Sequence, residues 1–345
     1  MFFRALLSLP LIAPVAALPH APFPQASQPG GRKMHITLST DRVTPISMRR
    51  VKGAIILPAQ IAGESVNVLF DNGSDSTLID ESFSKAHGMK VQRTGGKLNT
   101  GTSIMRAGTT DGVLVLGGAV TISGQLMTAD LSGVSRALDM PVAAILGSDA
   151  LKAFVVVVNP DRGWIALGLP GQIDVNSHVS TGKAAMSNAE AAKALLPKLT
   201  PAVVPFGPDF AVNAMINGAP VSLLIDYGHT GAITLRDDVW QRIIPADART
   251  GKISMATKAD GQRVGGQSGT ARDLELGTIS AKDVPVTSQP FRKGWRYEGL
   301  LGLGILGSTT TILQMPKRQL WIFPVGQDVS VAASASAATP KTGAP

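Results

Sequence analysis

Val68-Leu69-Phe70-Asp71-Asn72-Gly73 is an apolar run that ends on a carboxylate, after which a glycine lets the backbone turn. The same construction returns as Leu223-Leu224-Ile225-Asp226-Tyr227-Gly228, so the two aspartates are 155 residues apart (226 − 71). Residues before the motif repeat at this offset as well, since Ile61 matches Ile216. We interpret the chain as two copies of one β-rich unit, with the two aspartates brought together where the copies meet.

A second motif, two apolar residues followed by glycine, closes each copy. It reads Ile145-Leu146-Gly147 in the first copy and Leu300-Leu301-Gly302 in the second. The distance from the aspartate to this glycine is 76 residues in both copies (147 − 71 and 302 − 226). The equal spacing indicates that both motifs belong to the same repeated unit.

The composition favours a globular β protein and excludes several kinds of chemistry. The 345 residues suffice for two domains with cores of their own, and 37 glycines and 23 prolines suit a fold rich in turns. Cysteine is absent, which excludes disulfides, thiolate catalysis and cysteine-based zinc sites. The five histidines (His20, His35, His87, His178 and His229) show no metal-ligand spacing. We therefore expect neither a metal nor a cofactor.

The net charge of +8 raises the question of an anionic partner. Lysine and arginine are scattered in short pairs, such as Arg49-Arg50 and Lys317-Arg318, and aromatic residues make up only 5% of the chain. Single-stranded nucleic acid is usually bound by a basic groove with stacking aromatic side chains. The pattern therefore favours a solvated basic surface, and we expect no nucleic-acid partner.

Residues 1–17 resemble a secretory signal peptide. A basic start at Met1-Phe2-Phe3-Arg4 is followed by an apolar stretch and a small-residue exit at Val15-Ala16-Ala17. The apolar stretch is too short to span a bilayer, so we expect export to the periplasm or medium without stable membrane insertion. A simple membrane anchor is the alternative. Residues 18–33, rich in proline, glutamine and glycine, are expected to be disordered, and a removable pro-segment is an open alternative.

Strand-like segments fill most of the remaining chain. We expect an N-terminal lobe at 34–167, a linker at 168–201 with a helix at 188–196, a C-terminal lobe at 202–325 and a disordered tail at 326–345. Each lobe also contains a glycine-rich stretch, at 94–110 and at 260–269. Such a stretch is either a hairpin that projects over a cleft or an ordinary exposed loop. The overall prediction is an all-β fold with a few short helices.

A strand followed by a short helix is expected soon after each aspartate. In the first copy it starts at Thr77 and ends before Gly88, a residue type that commonly terminates helices. In the second copy the matching segment starts at Thr234. Because 234 − 77 is 157 rather than 155, the match predicts two extra residues between Asp226 and this segment.

A single Asp-x-Gly is typical of an ordinary turn, in which nearby backbone N–H groups satisfy the carboxylate. Here each aspartate follows a strand predicted to be buried, and burial of an unpaired carboxylate is costly. Each aspartate also has its glycine motif at a matched distance downstream. These two features together indicate a functional pair of carboxylates, Asp71 and Asp226.

The arrangement resembles the two-lobed aspartic proteases, the pepsin-like and retropepsin-like families, in a bacterial exported form. In those proteins each lobe contributes an Asp-Thr/Ser-Gly-Ser/Thr/Ala loop above an apolar-apolar-glycine strand. The resemblance covers 51–167 and 202–323, and it implies two pseudo-twofold-related, acid-protease-like β-barrel lobes. It also implies that Asp71 and Asp226 are catalytic. The residues that would support this dyad are Gly73, Ser74, Gly228, Thr230, Gly147 and Gly302.

The resemblance implies peptide-bond hydrolysis without a metal or a covalent intermediate. Two carboxylates about 3 Å apart repel by about 5 kcal/mol at an effective dielectric of about 20, so they hold one proton between them over a wide acidic range. The ionised member takes a proton from a bound water as that water attacks the peptide carbonyl. The protonated member donates to the carbonyl oxygen.

Three residues depart from the family pattern. Asn72 and Tyr227 stand where a threonine or serine hydroxyl normally links the two loops. Ser74 fits the family's next hydroxyl position, which hydrogen-bonds the carboxylate, but its counterpart is His229, followed by Thr230. A protonated His229 beside Asp226 would lower the pKa of that carboxyl and disturb proton sharing.

Two functions are therefore expected from the sequence. The first is an aspartic endopeptidase, a monomer with an internal pseudo-dimer, that cleaves an extended polypeptide in the cleft between its lobes. The second is a catalytically impaired peptide-binding or interaction protein with the same fold, motivated by Asn72, Tyr227 and His229.

Overall fold

A computed structural model describes residues 34–38, 43–99, 104–170, 172–174, 179–180, 201–258, 261–323, 328–329 and 332–333. The expected signal peptide (1–17), the segment 18–33 and the linker helix (188–196) lie outside these residues. Across the described ranges, no helix has the length and apolar character needed to cross a membrane.

Strands dominate both halves of the chain. The strands of the first half are β1 (Met34–Leu38), β2 (Pro45–Ser47), β3 (Arg49–Val51), β4 (Ala54–Ile61), β5 (Glu64–Phe70), β6 (Leu78–Asp80), β7 (Gln92–Asn99), β8 (Ile104–Leu116), β9 (Val120–Ala129), β10 (Ala144–Leu146), β11 (Val155–Asn159), β12 (Trp164–Gly168), β13 (Ile173–Asp174) and β14 (Val179–Ser180). Those of the second half are β15 (Ala202–Pro205), β16 (Ala211–Ile216), β17 (Ala219–Ile225), β18 (Ile233–Arg236), β19 (Arg249–Thr257), β20 (Arg263–Leu276), β21 (Ile279–Gln289), β22 (Gly299–Leu301), β23 (Thr311–Gln314), β24 (Gln319–Ile322), β25 (Asp328–Val329) and β26 (Ala332–Ala333).

The helices of the described residues are short. They are α1 (Glu81–Ala86), α2 (Ser132–Leu138), α3 (Ser148–Leu151), α4 (Asp237–Ile243) and α5 (Leu303–Leu306), with single 3₁₀ turns at Ala246–Ala248 and Met315–Lys317. The helix predicted before Gly88 is α1, and this glycine has a φ of +69° as expected for a helix terminator. The sequence had not predicted α2.

The two halves form barrels with the same strand order. In the first half the order is β4-β5-β10-β6-β9-β8, and β8 pairs back to β4. In the second half it is β16-β17-β22-β18-β21-β20, and β20 pairs back to β16. Parallel pairs occur at equivalent places, β5–β10 and β6–β9 in one barrel and β17–β22 and β18–β21 in the other. The predicted all-β fold with acid-protease-like barrel lobes and a few short helices is confirmed.

Each aspartate follows a strand that runs parallel to the strand of the apolar-apolar-glycine motif. Leu69 lies opposite Ile145 in the first barrel, and Leu224 lies opposite Leu300 in the second. These strands are apolar on both faces because neighbouring layers cover both, and Phe70 is completely buried. The repeated pattern of the sequence therefore places the two motifs side by side at the end of each barrel.

A six-stranded sheet joins the two lobes. Its order is β15-β24-β23-β11-β12-β2, so three strands come from each half. The central antiparallel pair is β11 with β23, in which Val156 lies opposite Leu313. The run 155–158 consists of four valines, whose β-branched side chains favour extended backbone, and all four are buried there. This sheet holds the ends of the two barrels against each other.

The second half carries one extra residue after its aspartate, not two. In the first barrel Leu78 lies opposite Ile145, and in the second Thr234 lies opposite Leu300. Ile145 and Leu300 are equivalent positions of the two glycine motifs, 155 residues apart (300 − 145). Thr234 is therefore the counterpart of Leu78, at an offset of 156 (234 − 78). The predicted match of Thr77 with Thr234 was wrong, because hydrogen-bond register and not residue identity decides which positions are equivalent.

Four residues of the tail lie in short strands, although we expected 326–345 to be disordered. β25 pairs with β14, and β26 pairs with β13. The pairing partners belong to the stretch between the two lobes. Backbone hydrogen bonds to this stretch order these four residues, which sequence composition could not indicate.

Candidate active site

Asp71 lies just after β5 in a tight loop whose backbone donors point at its carboxyl. Its Oδ1 accepts hydrogen bonds from the N–H groups of Gly73 at 2.9 Å and Ser74 at 3.3 Å. The N–H of Asp71 donates to the carbonyl oxygen of Leu146 at 3.2 Å, which ties the loop to β10. The carboxyl of Asp71 is therefore oriented by main-chain donors.

Asp226 lies in a loop with the same backbone pattern. Its Oδ1 accepts from the N–H groups of Gly228 at 2.8 Å and His229 at 3.1 Å. Its own N–H donates to the carbonyl oxygen of Leu301 at 2.9 Å. The second loop thus presents its carboxyl as the first loop does, despite the different side chains that follow each aspartate.

The two carboxyls face each other across the boundary between the lobes. A methyl group added at Gly73 would lie 2.6 Å from Cγ of Asp226, and one added at Gly228 would overlap Cγ of Asp71. Each carboxyl therefore lies over the glycine of the opposite loop, and the two carboxyls are in hydrogen-bonding contact. Both glycines are required here because no side chain fits between the loop and the opposite aspartate.

The environment favours one shared proton. Burial raises the pKa of Asp71, although its hydrogen bonds to Asp226 and to backbone N–H groups act in the opposite direction. Burial raises the pKa of Asp226 well above its usual range, and the adjacent negative charge of Asp71 raises it further. Asp226 is thus the member that the surroundings favour in the protonated form, while the titration belongs to the pair.

Gly147 and Gly302 lie directly against the loops that carry the aspartates. A methyl group at Gly147 would overlap the backbone of Ser76 and lie 2.7 Å from the N atom of Thr77. One at Gly302 would lie 2.6 Å from the carbonyl oxygen of His229. Because only glycine permits these approaches, the two residues stand where the resemblance implies, beneath the paired loops.

The first loop has a polar support that the sequence had not singled out. Thr77 Oγ1 donates to Asp149 Oδ1 at 2.7 Å and accepts from the N–H of Gly147 at 3.1 Å. In the second copy the N–H of Gly302 donates instead to the carbonyl oxygen of Ala232 at 2.9 Å. The sequence feature that could have identified Asp149 is its position two residues after Gly147, the last residue of the apolar-apolar-glycine motif in the first copy.

The amide of Asn72 links the two loops. Its Nδ2 donates to the carbonyl oxygen of Ile225 at 2.7 Å, and its Oδ1 accepts from the N–H of Tyr227 at 2.8 Å. Asn72 is 3% exposed, so water does not compete for these bonds. One side chain therefore makes two hydrogen bonds across the lobe boundary.

Tyr227 points into the core below the loops. Its ring makes an edge contact with Phe70, with 5.4 Å between ring centroids, and its hydroxyl lies 2.6 Å from Thr311 Oγ1. Burial raises the pKa of Tyr227 far above the neutral range, so the phenol is uncharged. The bulk of this side chain is accommodated by the core and does not separate the aspartates.

Ser74 and Thr230 are placed differently from what the resemblance implies. The hydroxyl of Ser74 donates to the carbonyl oxygen of Ser76 at 2.8 Å, and only its backbone N–H contacts the carboxyl of Asp71. Thr230 is exposed and lies next to Gly53, at the turn between β3 and β4. The carboxyl of Asp71 is already satisfied by backbone donors, which leaves the Ser74 hydroxyl free to stabilise the turn.

His229 is held by a chain of hydrogen bonds on its own lobe. Its Nε2 lies 2.9 Å from Thr234 Oγ1, which lies 2.7 Å from Thr287 Oγ1. Burial lowers the pKa of His229 to about 4. The imidazole is therefore neutral above that pH, and the disturbance of Asp226 expected from a protonated ring does not arise there.

A cavity of about 380 Å³ opens beside Asp71 between the lobes. Its two walls differ in chemistry. The first lobe contributes mainly apolar side chains, and the second lobe contributes a series of hydroxyl groups. The apolar set is Leu69, Val134, Leu138 and Ile145, and the hydroxyl set is Thr230, Thr234, Ser254, Thr257, Thr287 and Ser288.

The ribbon formed by β19 and β20 covers this cavity. The sequence had left open whether the stretch 260–269 is a hairpin or an ordinary loop, and its residues 263–269 belong to this hairpin. At the tip, a methyl group on Gly261 would lie 2.8 Å from Cα of Gly133 in α2. The ribbon thus crosses the cleft and touches the opposite lobe. In the first lobe β7 and β8 form the corresponding ribbon, of which 100–103 lie outside the described residues.

Within the part of the chain that the structure describes, no group of three or more histidine, cysteine, aspartate or glutamate residues is arranged to hold a metal ion.

Part of the second lobe matches a known protein family. A family model described as aspartyl protease matches residues 212–310. The matched residues include Asp226, Gly228 and Gly302, and exclude Asp71. A comparison with curated proteins finds no match. The matched segment of this chain is similar to the aspartyl protease family, and its all-β fold agrees with that similarity.

Proposed function

We propose that this protein is an aspartic endopeptidase that uses Asp71 and Asp226 as its catalytic pair. The observation that carries the proposal is the contact between the two carboxyls, each seated over the glycine of the opposite loop. A water held between the carboxyls would lose a proton to the ionised member as it attacks the peptide carbonyl. The protonated member would donate to the carbonyl oxygen, so that charge is conserved in the step.

The cleft suits an extended polypeptide substrate. The dyad lies on the floor, and the β19–β20 ribbon lies above the adjacent cavity. An extended chain bound there can hydrogen-bond to exposed ribbon backbone, while alternate side chains enter pockets on the two walls. The two barrels share one strand order, which is consistent with an internal duplication and with a monomer that contains its own pseudo-dimer.

The test uses purified protein and an unfolded polypeptide substrate at acidic pH. Asp71→Asn and Asp226→Asn should each lower kcat by about 10³-fold or more, because either substitution removes the shared proton. Asp247→Asn is the matched control, since this exposed residue forms an ion pair with Arg272 and neither of the two lines the cavity. Full activity in a folded Asp71→Asn variant would rule the proposal out.

A second candidate is a peptide-binding protein without turnover. It is favoured by one observation, that neither Tyr227 nor His229 in the second loop is a serine or threonine. Under this alternative, peptides bind in the cleft but no cleavage occurs at any pH. Titration calorimetry with the Asp226→Asn variant should detect peptide binding under both candidates. Cleavage of the same peptide by the wild type separates them, because only the first candidate predicts it.

We also propose that the protein is exported. The proposal rests on the pattern of residues 1–17, with a basic start, an apolar stretch and a small-residue exit. Cell fractionation and N-terminal sequencing of the mature protein test it. Retention of Met1 on protein found only in the cytoplasm would contradict it.

A further inference from the structure

The fourth residue of each loop anchors that loop to the segment that follows it. In the first loop Ser74 reaches the carbonyl oxygen of Ser76 through its hydroxyl at 2.8 Å. The second loop is one residue longer before the next strand, as the offset of 156 between Leu78 and Thr234 shows (234 − 78). At the position of Ser74 it has His229, whose longer side chain reaches Thr234 at 2.9 Å. The histidine anchor thus reaches five residues ahead in the chain (234 − 229), whereas the serine anchor reaches two (76 − 74).

The imidazole fits between two glycines. A methyl group at Gly231 would lie 2.7 Å from Nε2 of His229, and one at Gly302 would lie 2.5 Å from its Cδ2. The carbonyl oxygen of His229 also accepts from the N–H of Leu303 at 2.8 Å. The ring and the backbone of this residue are therefore both packed against the strand that passes beneath the loop.

The hydrogen bonds of the ring continue into two adjacent strands. Thr234 in β18 and Thr287 in β21 lie opposite each other in a parallel pair, and their hydroxyls are 2.7 Å apart. His229 therefore connects the Asp226 loop to the side of the barrel through Thr234 and Thr287. Its backbone N–H meanwhile donates to Asp226 Oδ1, so movement of the ring would move a donor to the carboxyl.

The groups that surround this loop are compatible with a neutral ring. The titratable groups that line the cavity together with His229 are Asp71, Lys52 and Lys258, and Asp226 accepts from the backbone N–H of His229. Burial opposes the charged form of the imidazole and lowers its pKa to about 4. A neutral imidazole has one unprotonated nitrogen and one N–H, so it can accept a hydrogen bond from Thr234 or donate one to it. Because the ring carries no charge, it does not disturb the proton that the two carboxyls share.

We propose that His229 is a positioning residue, which sets the position of Asp226 by hydrogen-bonding Thr234 from its place between Gly231 and Gly302. This inference rests on the proposed function, since it concerns the geometry of the same dyad. It assigns no proton transfer to the imidazole. A displacement of about 1 Å at a reacting group can lower a rate by about 10²-fold, so loss of the anchor should act on kcat.

The experiment compares two substitutions that retain much of the side-chain volume. His229→Gln keeps a polar group able to reach Thr234, whereas His229→Leu fills the space without a hydrogen bond. We expect His229→Leu to lower kcat by about 10-fold to 10²-fold with KM changed less than about 3-fold, and His229→Gln to recover most of that loss. His87→Gln is the matched control, because His87 lies on the surface against Phe83. Equal kcat values for the folded Gln and Leu variants would overturn the inference.

A second measurement does not depend on turnover. The carboxyl ¹³C chemical shift of Asp226 should be followed as a function of pH. We expect its titration midpoint to differ from that of the wild type in His229→Leu and to stay close to it in His229→Gln. If the wild type cleaves no peptide, the proposed function fails, and this titration alone decides whether His229 positions Asp226. Identical titration curves in all three proteins would show that the ring serves only to fill space.

Discussion

The two aspartate loops share one backbone and differ in nearly every side chain that follows the aspartate. In both, the carboxyl accepts from two successive backbone N–H groups, and the glycine of one loop lies under the carboxyl of the other. The first loop continues with Asn72 and Ser74, and the second with Tyr227 and His229. The comparison teaches that the same backbone donors and close glycine contacts orient both carboxyls, while each loop uses a different side chain to anchor that backbone.

The link between the loops is one-sided. Asn72 makes both cross-lobe hydrogen bonds, whereas Tyr227 contributes only its N–H to that link and places its ring in the core. A short hydroxyl side chain in each loop would divide the task equally. Here one amide, which has both a donor and an acceptor, performs it alone. The replacement of the two hydroxyls is therefore compatible with a closed dyad.

The largest expected effect comes from the glycines that lie under the carboxyls. Gly228→Ala should abolish peptide cleavage, because the new methyl group would overlap Asp71, and should lower the free energy of unfolding by about 1–3 kcal/mol. Gly73→Ala should act in the same way with a smaller overlap. Gly207→Ala is the control, since a methyl group there meets only a carbonyl oxygen at 3.8 Å. Activity assays and chemical denaturation check this, and unimpaired cleavage by Gly228→Ala would contradict the facing geometry.

The one-sided link predicts unequal effects at its two residues. Asn72→Ala should lower the free energy of unfolding by about 2–4 kcal/mol, because it leaves the Ile225 carbonyl and the Tyr227 N–H buried without partners. Tyr227→Phe removes only the bond to Thr311 and should cost about 1 kcal/mol. Urea denaturation of both variants measures the difference. Equal losses would contradict the larger contribution that we assign to the two cross-lobe hydrogen bonds of Asn72.

The raised pKa of Asp226 predicts how stability depends on pH. Above the unfolded pKa, near 4, the unfolded chain loses a proton that the native pair retains, so stability falls as pH rises through the folded pKa. Asp226→Asn removes this penalty and should raise Tm at pH 7 by about 2 °C or more, with little gain at pH 3.5. Calorimetry at both pH values checks the sign. A variant less stable at pH 7 and unchanged at pH 3.5 would contradict it.

The smallest expected effect concerns the ribbon over the cavity. Gly261→Ala should weaken the contact with Gly133 and change KM by about 2-fold to 3-fold, with kcat nearly unchanged. Gly294→Ala is a close control, because both glycines have a φ of +81° but a methyl group at Gly294 meets no neighbouring atom. The two variants therefore share the backbone strain and differ in the contact. Steady-state kinetics that do not distinguish them would show that the tip contact has no part in binding.

Much of the fold could be predicted because the repeated pattern is local. Apolar strands that end on Asp-x-Gly, each with a glycine motif 76 residues later (147 − 71 and 302 − 226), identify equivalent strands from residue types alone. Two positions were misjudged for physical reasons. Thr77 was matched with Thr234 because both are threonines, although pairing register makes Leu78 the counterpart. Asp149 was passed over because its partner Thr77 is 72 residues away (149 − 77).

The sequence by itself determined the all-β character, the repeated unit and the two aspartates and glycines that meet between the lobes, because these follow from local residue types at a fixed spacing. Only the tertiary structure decided what Asn72, Tyr227 and His229 contact. Their partners lie in other strands or in the opposite lobe, and strand register and core packing bring them within hydrogen-bonding distance.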